Sequence, residues 1–272
     1  GEQLAGVATV ALTGVTTEQM STLGRLQVAS MTVAQVRELT SDQVSAIRTV
    51  AMRGLSTGQV VALSSDVVAG LTTAQMRSLT SVQVSSFGTA AIAAIETEDI
   101  ATLTSVQLAG ISTVQASALG GQQMSAMNAT VVKVLRSQHI AALSSDAVSG
   151  MTSGQMALLG SAQIIGFETR DLVVLSSDQF TAIPALALKA LQTAAIRALT
   201  TDALSGLRTD QIRALSTIQI RALTSAGLGA ISTDTLRSLS SVQALAITSS
   251  QFVGLPSAWI NEITTAVASR RR

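Results

Sequence analysis

Thr40-Ser-Asp-Gln-Val-Ser-Ala-Ile47 aligns without gaps on Ser56-Thr-Gly-Gln-Val-Val-Ala-Leu63 and on Thr72-Thr-Ala-Gln-Met-Arg-Ser-Leu79. The three stretches define an eight-residue repeat, and self-similarity of this kind decides an architecture before any other feature does. We letter its positions a to h, with a at residues 8, 16, 24 and onward, and name each octad by its a residue. The chain of 272 residues holds 34 such slots, and no insertion or deletion breaks the register. Every h position from Val7 to Ile263 is large and apolar, and every e position is apolar, reduced to Ala only at Ala116, Ala244 and Ala268. Position b is Ser or Thr in 28 octads and d is Gln in 18, so the polar positions are patterned as well as the apolar ones. Position g is mostly Gly, Ala or Ser.

One continuous helix does not fit, because apolar positions spaced alternately three and five residues apart drift around a cylinder of 3.6 residues per turn. A strand does not fit either, since e and h would face opposite ways. A short capped helix does. Ser or Thr at a or b, followed by Gln at d, resembles a capping box in which side chains satisfy the first N–H groups. Positions e and h then share one face, and a small residue at g lets the backbone bend closely into the next cap. Charge placement agrees. Seven of the nine Asp residues stand at c and nine of the seventeen basic residues at f, near the helix start and end that the macrodipole favours for each sign. Asp210 with Arg213, and Asp234 with Arg237, are also i,i+3 neighbours.

A single octad cannot be stable alone. Burying two aliphatic side chains contributes roughly 3–6 kcal/mol, against backbone ordering that costs on the order of 8–16 kcal/mol for eight residues. Octads must therefore stack and share a core. The expected fold is an all-α solenoid of short capped helices, one per octad, running as a single array over 1–272, with a divergent cap at 256–272 where Pro256, Trp259, Asn261, Glu262 and Arg271 depart from the pattern. A longer period is superimposed. Position a departs from Ser/Thr at Ala8, Arg48, Gly88, Asn128, Glu168 and Arg208, each 40 residues apart, and Phe87 and Phe167 recur 80 apart. This suggests a five-octad unit that makes one superhelical turn, with residues 40 apart as axial neighbours, or that forms one module of the array.

Composition narrows the function classes. With no Cys, disulfides, thiolate metal sites and cysteine nucleophiles are excluded, and one His cannot supply a His-rich zinc site. A net charge of +1 gives no long-range steering toward nucleic acid or anionic lipid. Ser, Thr or Gln interrupts the apolar residues too often for a membrane span, and Gly1-Glu2-Gln3-Leu4 does not read as a secretory signal. Each isolated candidate has a repeat-based reading. His139 stands at d and reads as a cap or surface group. Asp99 and Asp171, also at d, read as carboxylates that accept helix N–H groups. Glu168 with Asp171 could hint at a cation site, but no ligand-rich loop surrounds them. The serines lack a nucleophile elbow, Gly120-Gly121 lacks a phosphate-binding fingerprint, and Asn128-Ala-Thr130 is a short glycosylation match. No catalytic, cofactor or metal residue is assigned, and no enzymatic activity is expected. The best basic patch is Arg213 and Arg221 with Arg197 and Arg237 nearby, followed by Arg270-Arg271-Arg272. Without stacking aromatics, nucleic acid is disfavoured as its partner.

Leu39-Thr-Ser-Asp-Gln-Val-Ser-Ala-Ile47 resembles the opening helix of TAL-effector DNA-binding repeats, whose repeat is longer and carries a base-reading loop that nothing here matches. Over the whole chain, runs such as Leu215-Ser-Thr-Ile-Gln-Ile-Arg-Ala-Leu-Thr224 are similar to the Leu-Thr-Thr-x-Gln-Val-x-Ala-Leu tracts of large repetitive bacterial proteins described as adhesin-like, haem-utilisation or haemolysin-type. That resemblance implies a secreted or surface-exposed protein with structural or adhesive work, and it transfers no functional residues. The leading expectation is an extracellular rod, or a self-associating filament or sheath subunit. The start in mid-octad at Gln3-Leu4-Ala5-Gly6-Val7 shows no distinct cap, which favours end-to-end stacking or a longer array. The alternative is a binding module, an adhesin or a protein- or nucleic-acid-binding surface that uses the Arg columns. A Ser/Thr surface for ice or carbohydrate is a third reading, weakened because many of those hydroxyls cap helices.

Overall fold

A computed structural model describes residues 14–261. Gln3–Val7, Ala8, Glu262, Ile263, Ala268 and the Arg270–Arg272 run lie outside them. The described residues fall into two compact units, 14–135 with 142–150, and 136–141 with 151–261.

Each octad builds the same element for the same reasons, and octad 56 serves as the example. Ser56 is extended (φ −73°, ψ 163°) and caps the helix Thr57–Ala62. The N–H of Gln59 donates to Ser56 Oγ at 3.3 Å, and the N–H of Ser56 donates to Gln59 Oε1 at 2.7 Å. This reciprocal box is what the Ser/Thr and Gln pattern predicts, with a as the cap and b as the first helical residue. The helix ends at Leu63, which is extended again (φ −64°, ψ 129°), and its N–H returns to the Val60 carbonyl at 3.2 Å. Two successive extended residues, h and then a, thus turn the chain from one helix to the next. Among the described residues there is no strand and no positive φ, so no turn uses a left-handed glycine. Octad 128 is the variant: Asn128 caps at i+2, and Ala129–Val134 is a 3₁₀ helix. Its β-branched run Thr130-Val131-Val132 and Val134 disfavours the α form.

Positions e and h line the interior of both units, as expected: Val44, Met52, Ile140 and Ile220 are fully or almost fully buried. From Gln35 to Trp259 position d is buried too. Gln75 is 1% exposed and Gln155 and Gln211 are at 0%, so the glutamine does more than cap. Its Oε1 faces its own helix start, and its Nε2 reaches across the coil. Gln75 Nε2 donates to the carbonyls of Val44, Ser45 and Ile47 at 2.7, 3.1 and 2.7 Å. In the first unit Gln59, Gln83, Gln107, Gln115 and Gln123 make the same reach of 28 to 31 residues. Gln179, Gln211, Gln219, Gln243 and Gln251 do so in the second. A buried primary amide is favourable only when both halves are engaged, and this ladder engages both. Where Ala51 interrupts it, Arg48 Nη2 supplies the donor instead, reaching the Thr22 and Leu23 carbonyls at 3.3 and 3.2 Å.

The ladder and the packing together set the turn. Helices pack three octads apart, Thr57–Ala62 on Val33–Arg37 and Thr201–Ser205 on Ser177–Ala182, while each Gln reaches back toward the fourth octad. One turn therefore takes between three and four octads. The 40-residue recurrence is not a turn of the coil, because axial neighbours lie 24 to 32 residues apart. The small g residues also have a different cause from the one read in the sequence. They meet position b three octads earlier, across the coil, rather than easing the bend into the next cap. A Cβ on Gly150 would lie 2.2 Å from the Gly121 carbonyl oxygen, and one on Gly166 would lie 2.3 Å from that of Ser137.

Candidate binding surface

The polar residues singled out at d serve the ladder. His139 is 2% exposed, buried and not on the surface, and its Nδ1 accepts the Arg136 N–H at 3.2 Å, so the capping expectation holds and the surface one does not. Asp99 is 3% exposed. Burial pushes its carboxyl above the usual carboxylate range, a Thr73 hydrogen bond opposes this, and the neighbouring Glu96 and Glu98 add to the rise. Asp171 is fully buried and its Oδ2 accepts the Glu168 N–H at 2.9 Å. Desolvation raises its pKa more than that bond and the Arg170 charge lower it.

Glu168 and Asp171 come together, but the cation between them belongs to the chain. Arg170 lies 3.5 Å from Glu168 Oε2 and 3.5 Å from Asp171 Oδ1, at the side of a groove of about 550 Å³ that Ile165, Phe167 and Gln192 also line. Among the described residues no three His, Cys, Asp or Glu side chains converge as a metal site. At Gly120-Gly121 the N–H groups are engaged, Gly120 with Gln123 Oε1 at 3.0 Å and Gly121 with Asp146 Oδ2 at 2.6 Å. Asn128 Oδ1 accepts from the Thr130 N–H and hydroxyl at 2.9 and 2.7 Å. The c-position acids thus do more than face a dipole: Asp146 and Asp202 accept N–H groups of b residues three octads earlier. Arg237 pairs with Asp234, its i,i+3 neighbour, at 3.3 Å. Asp210 instead pairs with Arg208 at 3.0 Å, leaving Arg213 out, and the hydrogen bond from Arg208 holds the Asp210 carboxyl below its ordinary value.

The basic residues at f are exposed, and in the second unit they stack. Ala185–Leu188 packs on Thr209–Ala214, and Thr193–Ala198 on Thr217–Ala222, which sets Lys189 over Arg213 and Arg197 over Arg221. Lys189 and Arg213 line one groove of about 450 Å³ with Ser216, Thr217, Ser240 and Val242. None of Lys189, Arg197, Arg213 and Arg221 makes an ion pair among the described residues. One surface feature passed unread in the sequence. Position c carries exposed Leu26, Val50, Val82 and Val106 in the first unit, and Leu186, Ile218 and Val242 in the second. Its mix of Asp and aliphatic residues disguised it.

The model of the ALTTAQ repeat family matches residues 92–129 and 188–217. Both stretches are runs of the octad, so over these residues the chain is similar to this repeat. No curated protein matches the chain. Among the described residues no helix is long and apolar enough to cross a membrane.

Proposed function

We propose that the protein is a non-enzymatic structural element of the cell exterior: a repeat-built rod or spacer that associates end to end. The family match to a repeat supports a structural or binding role, and the observation that carries the structural reading is the direction of the glutamine ladder. Among the described residues the Nε2 bonds that cross the coil run toward its N-terminal side, to e, f and h carbonyls 28 to 31 residues earlier. Any free end of such a coil therefore presents unmatched amide donors on one side and unmatched carbonyls on the other. These are complementary faces, and a heterologous contact that does not close generates a filament.

Electron microscopy and sedimentation over a wide concentration range test this. End-to-end particles whose population grows with concentration are the expected result. Dispersed monomers at the highest concentrations would overturn the filament, and a secreted or surface location is checked by fractionating cells of the source.

A further inference from the structure

The second unit carries a charge arrangement that a spacer does not need. Residues 184–239 hold six basic and three acidic side chains, while the rest of the chain holds eleven and thirteen. Lys189, Arg197, Arg213 and Arg221 are exposed, and all four are without an ion pair among the described residues. Their backbone is held in place. The Gln219 amide holds the Lys189 carbonyl at 3.4 Å, Gln243 that of Arg213 at 3.3 Å, and Gln251 that of Arg221 at 3.4 Å. Three of the four cations thus stand on anchored positions of the ladder, two of them beside the same groove. Preorganised donors lose less freedom on binding than donors on a mobile loop.

We propose that Lys189, Arg197, Arg213 and Arg221 form a binding strip for the carboxylate or sulfate groups of a linear acidic polysaccharide. Stacked helices place Lys189 and Arg213, and likewise Arg197 and Arg221, roughly 8–10 Å apart along the coil. Four cations engage only a few phosphates of a nucleic-acid strand, which binds through a longer run of charges. Residues 184–239 contain no aromatic side chain on which a base could stack. A polysaccharide needs neither. Its anionic groups are separated by whole sugar units, guanidinium forks match carboxylate and sulfate oxygens, and the exposed aliphatic Ile218 and Val242 with the hydroxyls at Ser216 and Ser240 suit the mixed faces of sugar rings. This inference does not depend on end-to-end association.

The test uses the whole chain in fluorescence-anisotropy titrations with labelled heparin, polygalacturonate and oligo-deoxythymidine, at about 50 and 200 mM salt. Binding of at least one of the two polysaccharides at the lower salt, tighter than the oligonucleotide per unit charge, is expected. The double variant Lys189→Gln/Arg213→Gln should bind at least about tenfold more weakly with an unchanged thermal midpoint, whereas Arg37→Gln/Arg77→Gln in the first unit should change binding less than about twofold. The proposal is overturned if neither polysaccharide binds, if the oligonucleotide binds more tightly, or if both double variants lose affinity equally. Should the first double variant lower the thermal midpoint, the single variants Lys189→Gln and Arg213→Gln, each checked for folding, decide by the same criterion.

Discussion

Arg170 and Asp171 divide between two side chains the work that one glutamine does elsewhere in the coil. Asp171 Oδ2 accepts the N–H of Glu168, as a Gln Oε1 would, and Arg170 Nη2 donates to the Ala141 carbonyl at 2.6 Å, as a Gln Nε2 would. The two halves remain coupled, since Arg170 Nε lies 3.5 Å from Asp171 Oδ1. Arg170→Met is therefore expected to cost about 1–3 kcal/mol, because it leaves a buried acid without its countercharge. Arg170→Met with Asp171→Gln should recover most of that loss. Chemical denaturation of the two single variants and the pair measures the coupling, and simple additivity would refute the division of labour.

Gln75 offers the direct test of the ladder. Gln75→Leu preserves bulk but strands the Thr72 N–H and the carbonyls of Ser45 and Ile47, while Val44 keeps only the Ile47 N–H, so a loss of about 2–4 kcal/mol is expected. Gln75→Glu keeps an acceptor, loses the donor and buries a charge. It should be the more damaging change at neutral pH and should recover on acidification, which a series of urea melts at several pH values would reveal.

Asp99 and Asp171 give the fold a pH signature. Burial raises both carboxyl pKa values, so the folded chain holds these protons more tightly than the unfolded chain does. Their contribution to stability is present below the ordinary carboxylate value and is lost as pH rises through the interval up to the raised folded value. Asp99→Gln restores the commonest residue at d. It should raise the neutral-pH melting temperature by a few degrees and flatten that segment of the pH profile. An unchanged profile would count against burial as the cause.

Glycines separate by where their missing methyl would go. Gly150→Ala drives a Cβ to within 2.2 Å of the Gly121 carbonyl oxygen, across one turn of the coil, and should destabilise by about 1–3 kcal/mol. Gly58→Ala, in the helix Thr57–Ala62, meets nothing closer than 3.7 Å and should stabilise by about 0.4–1 kcal/mol. Thermal melts of the two variants should shift in opposite directions.

The cap and the core were legible in the sequence because they act within one octad: Thr40 with Gln43, and Val44 with Ile47, lie close enough for spacing alone to reveal them. The turn was not legible, because its determinant joins residues 24 to 32 apart. The second function of Gln75 leaves no mark within its own octad, and its partners are backbone carbonyls that any residue supplies. The 40-residue recurrence drew attention because side chains mark it, while the true axial step is carried by the backbone and by small pairs such as Gly206 and Ser177. His139 and Asp171 looked like isolated oddities for the same reason, since only the coil shows that d is buried. The cations at Lys189 and Arg213 were visible one by one, and their alignment required the turn.

The packing step of three octads and the ladder step toward the fourth have a mechanical consequence. Three and four share no factor, so within each unit the two kinds of tie interlock like bricks laid in running bond, every course bridging the joints of the one below. Load applied along the coil is then shared sideways between neighbouring courses, and a crack that opens at one octad meets a bridging amide before it can travel around the turn. A lost glutamine weakens a brick without opening a seam, which fits the scatter of Ala and Val that position d tolerates.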